Sequence, residues 1–402
     1  MRAYAEILRV PGALAFCVSG FWARSGGAMM GVGTVLMVSG LYGSYELAGL
    51  ITAVNSLGWA LGTAILANLV DKHGQRKIGL PGSIISGAFI VLLITLATLH
   101  APGWTLAIPA FCSGFSSGSP GALVRARWSH VLDSLRQVHT AFSLESALDE
   151  ISMVVGPVLA TALATMIAPQ AGLVAVVTIC CSGSIVFYSK RDTEPPPAPR
   201  RLREGERRLR RPVLLLPGVF AVFLVTVLAG VLNGSIQVTV VASTEAWGDK
   251  PLSGVVLACF AVGSGTVGLV YGAIHWRTPL TKRFHILVCA MALGATTLYF
   301  APNALVLAGC GFLCGLAIAP TLINGQALAQ RLVPQSRLTE GLAWMSGSLG
   351  IGGALGASLA GFAVERVGPT YGFLVTVAAA VAAAALTTVS IGQVRRALPG
   401  PD

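Results

Sequence analysis

The sequence predicts an all-α membrane protein with twelve transmembrane helices in two pseudo-symmetric six-helix bundles. Of its 402 residues, 54% are hydrophobic and 11% are charged, whereas a soluble protein carries about 25% charged residues. Twelve apolar segments reach the length of about 20 residues that a helix needs to cross a bilayer. One Pro- and Arg-rich segment separates the first six from the last six. Together these observations exclude a soluble, secreted or disordered protein.

The twelve segments follow one another with short polar breaks. Arg2 and Arg9 precede the first segment, but it is too long for the core of a signal peptide, so we interpret it as a span. The narrowest break lies between the third and fourth segments and contains Pro102 and Gly103, a pair typical of a tight turn. The approximate limits of the spans are 13–40, 45–69, 78–99, 103–124, 140–166, 171–189, 213–243, 251–274, 284–301, 304–329, 338–363 and 370–392.

The basic residues lie almost entirely on one predicted side of the membrane. The termini and one set of alternate connections carry 24 Lys and Arg residues, whereas the opposite set carries only Lys250 and Arg366. The positive-inside rule therefore places both termini and the middle loop in the cytoplasm. The net charge of +11 follows from this topology and does not indicate a nucleic-acid partner. Ala, Gly, Val and Leu dominate and Arg outnumbers Lys by 22 to 5, a bias expected of a GC-rich bacterial genome, so we expect the protein in a bacterial inner membrane.

An internal repeat indicates that the two halves are copies of one six-helix unit. A shift of 200 residues superposes Pro120 on Pro320 and Gly156 on Gly356. Duplicated halves are a known construction of transporters, in which the binding site lies between the halves near the membrane midplane. The predicted domains are an N-terminal bundle at 1–189, a cytoplasmic linker at 190–212 and a C-terminal bundle at 213–402.

Enzymatic and metal chemistry have no support in the sequence. All eight cysteines lie inside apolar runs without a Cys-x-x-Cys pair, so we interpret them as small buried hydrophobic residues. A metal site built on Cys310 and Cys314 lacks the further ligands that a closed site needs. Because no nucleotide-binding loop or nucleophile triad is present, we expect no cofactor, no direct use of ATP and no enzymatic activity.

The loop between the second and third spans carries a family motif. It reads Ala67-Asn-Leu-Val-Asp71-Lys72-His73-Gly74-Gln75-Arg76-Lys77. This loop resembles the G-x-x-x-D-[RK]-x-G-[RK]-[RK] loop of the major facilitator superfamily, and it departs from that pattern at Ala67 and Gln75. The matching positions are Asp71, Lys72, Gly74 and Arg76. The resemblance implies the major facilitator fold and transport by alternating access.

The resemblance also implies a role for Asp71, because in the family this carboxylate stabilises the outward-facing state on the cytoplasmic side. A carboxylate there can face the positive N-terminal end of a helix and pair with nearby arginines. We expect Arg125 or Arg127, at the cytoplasmic end of the fourth span, to pair with Asp71. In the alternative interpretation, the basic residues of this loop only determine topology.

Four charged residues lie well inside predicted spans, away from the span ends. Arg24 is in the first span, and Glu145, Asp149 and Glu150 are in the fifth. Glu145 and Asp149 share one helix face at i, i+4 spacing, whereas Glu150 is turned about 100° away. Charged side chains in the bilayer pair with one another or face a cavity. We expect at least one of the acids to carry a proton, with Asp149 and Glu150 the first choices and Arg24 adjusting their affinity for it. The alternative is a permanent Arg-carboxylate bridge that only joins two helices.

At an offset of 200 residues the second half has no acid at the positions that match Glu145, Asp149 and Glu150, and its candidate residues are polar or aromatic without charge. Asn233 and Gln237 lie on the seventh span, Asn324 on the tenth and Trp344 on the eleventh. The resemblance implies that the first, fourth, seventh and tenth helices line the central cavity, so these residues are candidate substrate contacts. Alternatively, the amides bridge neighbouring helices.

The fifth span also contains Gly156 and Pro157, in a run that resembles the antiporter motif of family exporters with several glycines replaced by other small residues. The resemblance implies proton-coupled efflux of a small amphipathic compound, by a protein that works as a monomer in the lipid bilayer. A structural bend in the helix is the alternative meaning of this pair. Two other functions stay open: proton-coupled import of a polar or anionic metabolite, and a membrane sensor or assembly partner without transport.

Overall fold

A computed structural model describes residues 2–132, 134–197, 213–216, 218–273, 278–333 and 338–398. Every long regular element in these ranges is a helix. Those of the first half are α1 (Arg2–Leu8), α2 (Ala13–Ser25), α3 (Gly27–Tyr42), α4 (Tyr45–His73), α5 (Gln75–Thr98), α6 (Ala107–Ser117), α7 (Pro120–Val131), α8 (Leu135–Met166) and α9 (Ala171–Ser189). Those of the second half are α10 (Val219–Ala246), α11 (Ser253–Ala273), α12 (Leu280–Tyr299), α13 (Ala304–Leu332), α14 (Leu338–Arg366) and α15 (Gly372–Ala397).

All twelve predicted spans fall on helices. Ten helical segments within the described ranges are long and apolar enough to cross a membrane. The remaining two are the fourth span, which is broken, and the ninth span in α12, whose first turns contain Lys282 and Arg283. Most of the predicted linker lies outside the described residues, and only 190–197 can be placed.

The fourth span differs from the expectation of one continuous helix at 103–124. It consists of α6 and α7, separated by Gly118 and Ser119. Gly118 has φ 62° and ψ −152°, a backbone conformation that glycine tolerates and other residues rarely adopt. Pro120 then starts α7, which suits proline because the first amide of a helix needs no acceptor within it. The first span has a milder interruption at Gly26, between α2 and α3.

Contacts between helices divide the chain into two compact units. The first unit comprises 1–42 and 57–200, and the second comprises 43–56 and 201–402. The second unit therefore includes the first turns of α4, which the sequence assigned to the N-terminal bundle. The Glu365 carboxylate at the end of α14 accepts a hydrogen bond from the Tyr45 amide at 2.8 Å, which satisfies a free donor at the start of α4.

Small residues let α10 and α14 pack closely within the second unit. A Cβ atom at Gly352 would lie 2.9 Å from the Gly230 Cα, and one at Gly356 would lie 2.8 Å from the Val231 Cα. Membrane helices depend on such close van der Waals packing to associate, because the hydrophobic effect does not favour helix contacts over contacts with lipid. By contrast, a Cβ atom at Gly347 on α14 would meet no atom of a neighbouring element within 4 Å.

We therefore expect Gly356→Val to destabilise the second unit by roughly 1–3 kcal/mol, the usual cost of overpacking. Gly347→Val is the matched control, since it adds the same side chain to the same helix in open space. Thermal denaturation of the purified variants in detergent measures the difference. Equal melting temperatures for the two variants would contradict this description of the α10–α14 contact.

Candidate functional site

An ion-pair network joins three helices of the first unit. The Arg24 Nη2 of α2 lies 2.5 Å from the Glu145 Oε2 of α8, and the Arg24 Nε lies 2.6 Å from the Asp149 Oδ1. The side chains of Arg24 and Glu145 are 9% and 1% exposed, whereas that of Asp149 is 37% exposed. The structure thus brings three of the four charged residues selected from the sequence into direct contact, and Glu150 is the fourth.

Arg125 is the fourth member of the network. Its Nη2 lies 2.7 Å from the Asp149 Oδ2, so Asp149 bridges two guanidinium groups, one from α2 and one from α7. A Cβ atom at Gly121 would lie 3.4 Å from the Arg24 Cδ and 3.3 Å from the Arg125 Nη1. Gly121 therefore leaves room for the two arginine side chains to converge on one carboxylate.

Glu145 is held by neutral donors as well as by Arg24. The Trp128 indole donates to the Glu145 Oε1 at 2.6 Å, and the Cys17 thiol lies 3.3 Å from the same atom. Neither Trp128 nor Cys17 was predicted from the sequence as part of this site. The i, i+3 spacing of Arg125 and Trp128 was the one signal for the indole, because it places both on one side of a helix. With both oxygens bonded, Glu145 is a fixed anchor of the network.

The charges of the network balance. Arg24 and Arg125 supply two cations, and Glu145 and Asp149 supply two carboxylates. Among the residues inside predicted spans the sequence offered only Arg24 as a cation for three acids, whereas in the structure Arg125 pairs as well and leaves Glu150 as the acid without an ion pair among the described residues. Glu150 is partly buried, and no described residue forms an ion pair or hydrogen bond with it. The Arg24 Nη1 is also buried without a hydrogen-bond partner in the described part of the chain.

Close helix packing supports this region of α8. A Cβ atom at Gly156 would lie 2.8 Å from the Ala28 Cβ, so the glycine lets α8 approach the start of α3, one turn after Arg24. Pro157 follows inside α8 without ending the helix. Gly156 and Pro157 are therefore placed where they can determine the packing of α8 against the first span, close to its interruption at Gly26.

Asp71 is not paired with Arg125 or Arg127 in this structure. Asp71 is exposed near the end of α4, and no described residue bonds to it. Arg125 is turned inward to Asp149. The buried Arg127 donates to the Gln75 Oε1 at 2.9 Å and to the Lys190 carbonyl at 2.8 Å. Sequence spacing placed these residues at one end of the bundle but did not specify which face of α7 each side chain occupies.

Glu194 supplies a carboxylate to the start of α5, in the loop that carries the motif. Its Oε1 accepts a hydrogen bond from the Arg76 amide at 3.0 Å, in the first turn of α5, where the helix dipole favours a carboxylate. Gly74 has φ 96°, and a Cβ atom there would lie 3.1 Å from the same oxygen. The motif glycine is thus required by both backbone conformation and close approach. Lys72 is exposed beside Asp71.

The polar residues of the second unit form separate local contacts. The Gln237 amide donates to the Asn233 Oδ1 at 3.0 Å, one turn apart on a partly buried face of α10. Asn324 is 1% exposed and donates to the Tyr271 hydroxyl at 2.8 Å, so it joins α13 to α11. Trp344 is 40% exposed, with its ring centroid 6.0 Å from that of Phe223. No cluster of three metal-ligating side chains occurs in the described ranges.

Comparison with known proteins agrees with this architecture. The sequence model of the Major Facilitator Superfamily matches residues 14–242 and 222–401. A mutant of the nucleoside transporter NupG has a similar structure, with a TM-score of 0.73 at 11% identity over 95% of this chain and 99% of that one. A bacterial homologue of the iron transporter ferroportin in the inward-facing state gives 0.72 at 17% identity, over 96% and 99% of the two chains.

A bacterial homologue of the human lysosomal transporter Spinster, inward-facing and unoccupied, gives a TM-score of 0.71 at 13% identity, over 97% of this chain and 98% of that one. At these identities the likeness concerns the fold. No curated protein matches the chain significantly. The predicted twelve-helix, two-bundle architecture is confirmed.

Proposed function

The chain belongs to the major facilitator superfamily and is a multi-pass membrane transporter, not an enzyme; from this premise we propose that it exports a small amphipathic compound in exchange for protons. It works by alternating access, as a monomer, in a bacterial inner membrane with both termini in the cytoplasm. The excess of basic residues on one side supports this orientation.

The proposal of proton coupling rests on Glu150, which is partly buried and has no cation partner among the described residues. Burial of an ionised carboxylate without a cation is costly, so the group becomes neutral, stays hydrated or titrates during the cycle. Glu145 and Asp149 already have cations within 2.6 Å, whereas Glu150 has none among the described residues. Protonation of Glu145 or Asp149 would weaken an ion pair, whereas protonation of Glu150 would not. Glu150 is therefore the acid that can take up a proton at the lowest cost in free energy.

Asp149 connects this acid to the helices that move. It immediately precedes Glu150 on α8, and it holds α2 and α7 together through Arg24 and Arg125. A change of charge at Glu150 alters the electrostatic field at the neighbouring Asp149, and with it the strength of both ion pairs. The interruptions at Gly26 and Gly118 provide places where α2 and α7 can reorient relative to α3 and α6. Discontinuous helices of this kind surround the binding sites of many transporters.

Export is supported by Gly156 and Pro157, through their resemblance to the antiporter motif and through the close approach of Gly156 to α3. Import of an anionic metabolite is the second candidate, and one observation favours it. The Arg24 Nη1 is a buried donor without an acceptor in the described residues, and a carboxylate or phosphate oxygen of a substrate would satisfy it.

Reconstituted protein separates these two functions. Liposomes carrying the protein and an internal pH-sensitive dye are mixed with a panel of amphipathic and anionic compounds. Under the proposed exchange, uptake of a substrate makes the interior more alkaline because protons leave. Coupled import makes the interior more acidic, and uptake without a pH change would overturn proton coupling itself.

Asp71 remains our proposed gating residue, now with a different partner. Its exposed carboxylate is accessible to a residue that approaches it only in the outward-facing state. We expect Asp71→Asn to reduce transport by about fivefold or more, the lower range of coupling between conformational states, while expression stays near normal. Asp192→Asn, which removes another exposed carboxylate from the linker side, is the control. Normal transport by Asp71→Asn would rule out this role.

A further inference from the structure

A groove on the outer surface of the first unit lies away from the ion-pair network. It has a volume of about 840 Å³ and is bounded by the end of α1, one face of α2 and the last turns of α9. Its apolar wall consists of side chains that are about half exposed, namely Leu14, Val18, Trp22 and Val186. In a bilayer, such a surface faces acyl chains.

The groove is a consequence of close packing between α2 and α9. A Cβ atom at Gly183 would lie 2.8 Å from the Trp22 Cβ, so no side chain of α9 can fill the seam at that level. At the other end, the turn through Gly12 has φ 80° and brings α1 across the mouth of the groove, with Ile7 buried beneath. The depression is therefore built into the backbone and does not depend on a particular rotamer.

The charged side chains that line the groove are Arg9 and Lys190, and its described lining contains no acidic residue. Both are exposed, and neither has an ion-pair partner among the residues described. They lie at the end of the groove where the N-terminus enters and the linker begins. From Ala13 to Trp22 the helix rises roughly 14 Å at 1.5 Å per residue, comparable to one half of the ~30 Å hydrocarbon core.

We propose that this groove binds one anionic phospholipid, with its phosphate between Arg9 and Lys190 and an acyl chain along Leu14, Val18 and Trp22. Charge complementarity selects an anionic headgroup, and the half-exposed apolar wall below the charges selects a chain attached to it. A soluble phosphate would satisfy the two cations but leave the wall uncovered. Basic pockets beside membrane helices bind anionic headgroups in this way.

The test measures lipid binding to the purified, delipidated protein by native mass spectrometry. Phosphatidylglycerol and phosphatidylcholine with identical chains are compared. The double variant R9Q/K190Q is expected to lose roughly thirtyfold in affinity for phosphatidylglycerol, since each charge near an anionic headgroup is worth about fivefold. The control R395Q/R396Q removes two exposed charges from the end of α15 and should retain the preference.

A second pair of variants tests the apolar part. Ser182→Phe places a ring in the groove, whereas Thr178→Phe adds it one turn away on α9, outside the groove. We expect only Ser182→Phe to weaken phosphatidylglycerol binding. The proposal is overturned if the two lipids bind equally to the unaltered protein, if R9Q/K190Q keeps the preference, or if Ser182→Phe binds normally. Full competition by inorganic phosphate alone would show a free-anion site and likewise overturn it.

Discussion

Replacement of Glu150 by glutamine is expected to abolish proton-driven accumulation of substrate while exchange of substrate across the membrane continues. Glutamine has nearly the same shape as glutamate but cannot titrate, so the helix and its packing are kept. Proton movement in liposomes should then fall to the background of protein-free vesicles. Glu6→Gln makes the same chemical change at an exposed position on α1 and should leave coupling intact.

Coupling that survives in Glu150→Gln would transfer the role to Asp149, because Glu145 is held by three groups and is nearly inaccessible. The triple variant with Glu145→Gln, Asp149→Asn and Glu150→Gln decides the matter for the whole group. If that variant still accumulates substrate against a gradient, the three acids are structural. The coupling group would then be Asp71 or a carboxylate on the substrate.

The second large effect concerns stability. Arg24→Ala leaves Glu145 buried with only the Trp128 indole and the Cys17 thiol as donors among the described residues. Loss of one partner of a buried ion pair costs about 3–5 kcal/mol. We expect a marked fall in melting temperature. Adding Glu145→Gln to Arg24→Ala should restore most of the loss, because the Trp128 indole can still donate to the glutamine oxygen.

Arg366→Ala is the control for this experiment. The Arg366 side chain is 66% exposed and lies 3.8 Å from Glu46, an exposed pair of the kind that contributes about 1 kcal/mol or less. Two results would contradict this account: equal melting temperatures for Arg24→Ala and Arg366→Ala, or no recovery of stability in the double variant of Arg24→Ala and Glu145→Gln. Either would show that Glu145 is not held as an ion in the folded protein.

Several features of the fold were predictable because they depend on patterns within one segment. Apolar length located the spans. Insertion cost and i, i+4 spacing selected Arg24, Glu145 and Asp149, which the structure joins. Each of these inferences needs only the sequence and the thickness of a bilayer.

The partners of residues near helix ends were not predictable, because they depend on the rotation of one helix against another. The fourth span breaks at Gly118, and on α7 beyond the break Arg125 pairs with Asp149 instead of Asp71. Glu194 reaches the start of α5 from a linker that carries no periodic pattern. For Asn324 the sequence left open a cavity contact or a bridge between helices, and its amide donates to the Tyr271 hydroxyl and to the Pro320 carbonyl.

Exchange of substrate for protons, with Glu150 as the group that takes up the proton, is the central claim. The most direct measurement follows internal pH and substrate uptake together, in the same liposomes, with unaltered protein and with Glu150→Gln. We predict internal alkalinisation that accompanies uptake in the unaltered protein, and uptake without a pH change in the variant. Acidification with uptake, or the same alkalinisation in both proteins, would contradict this claim.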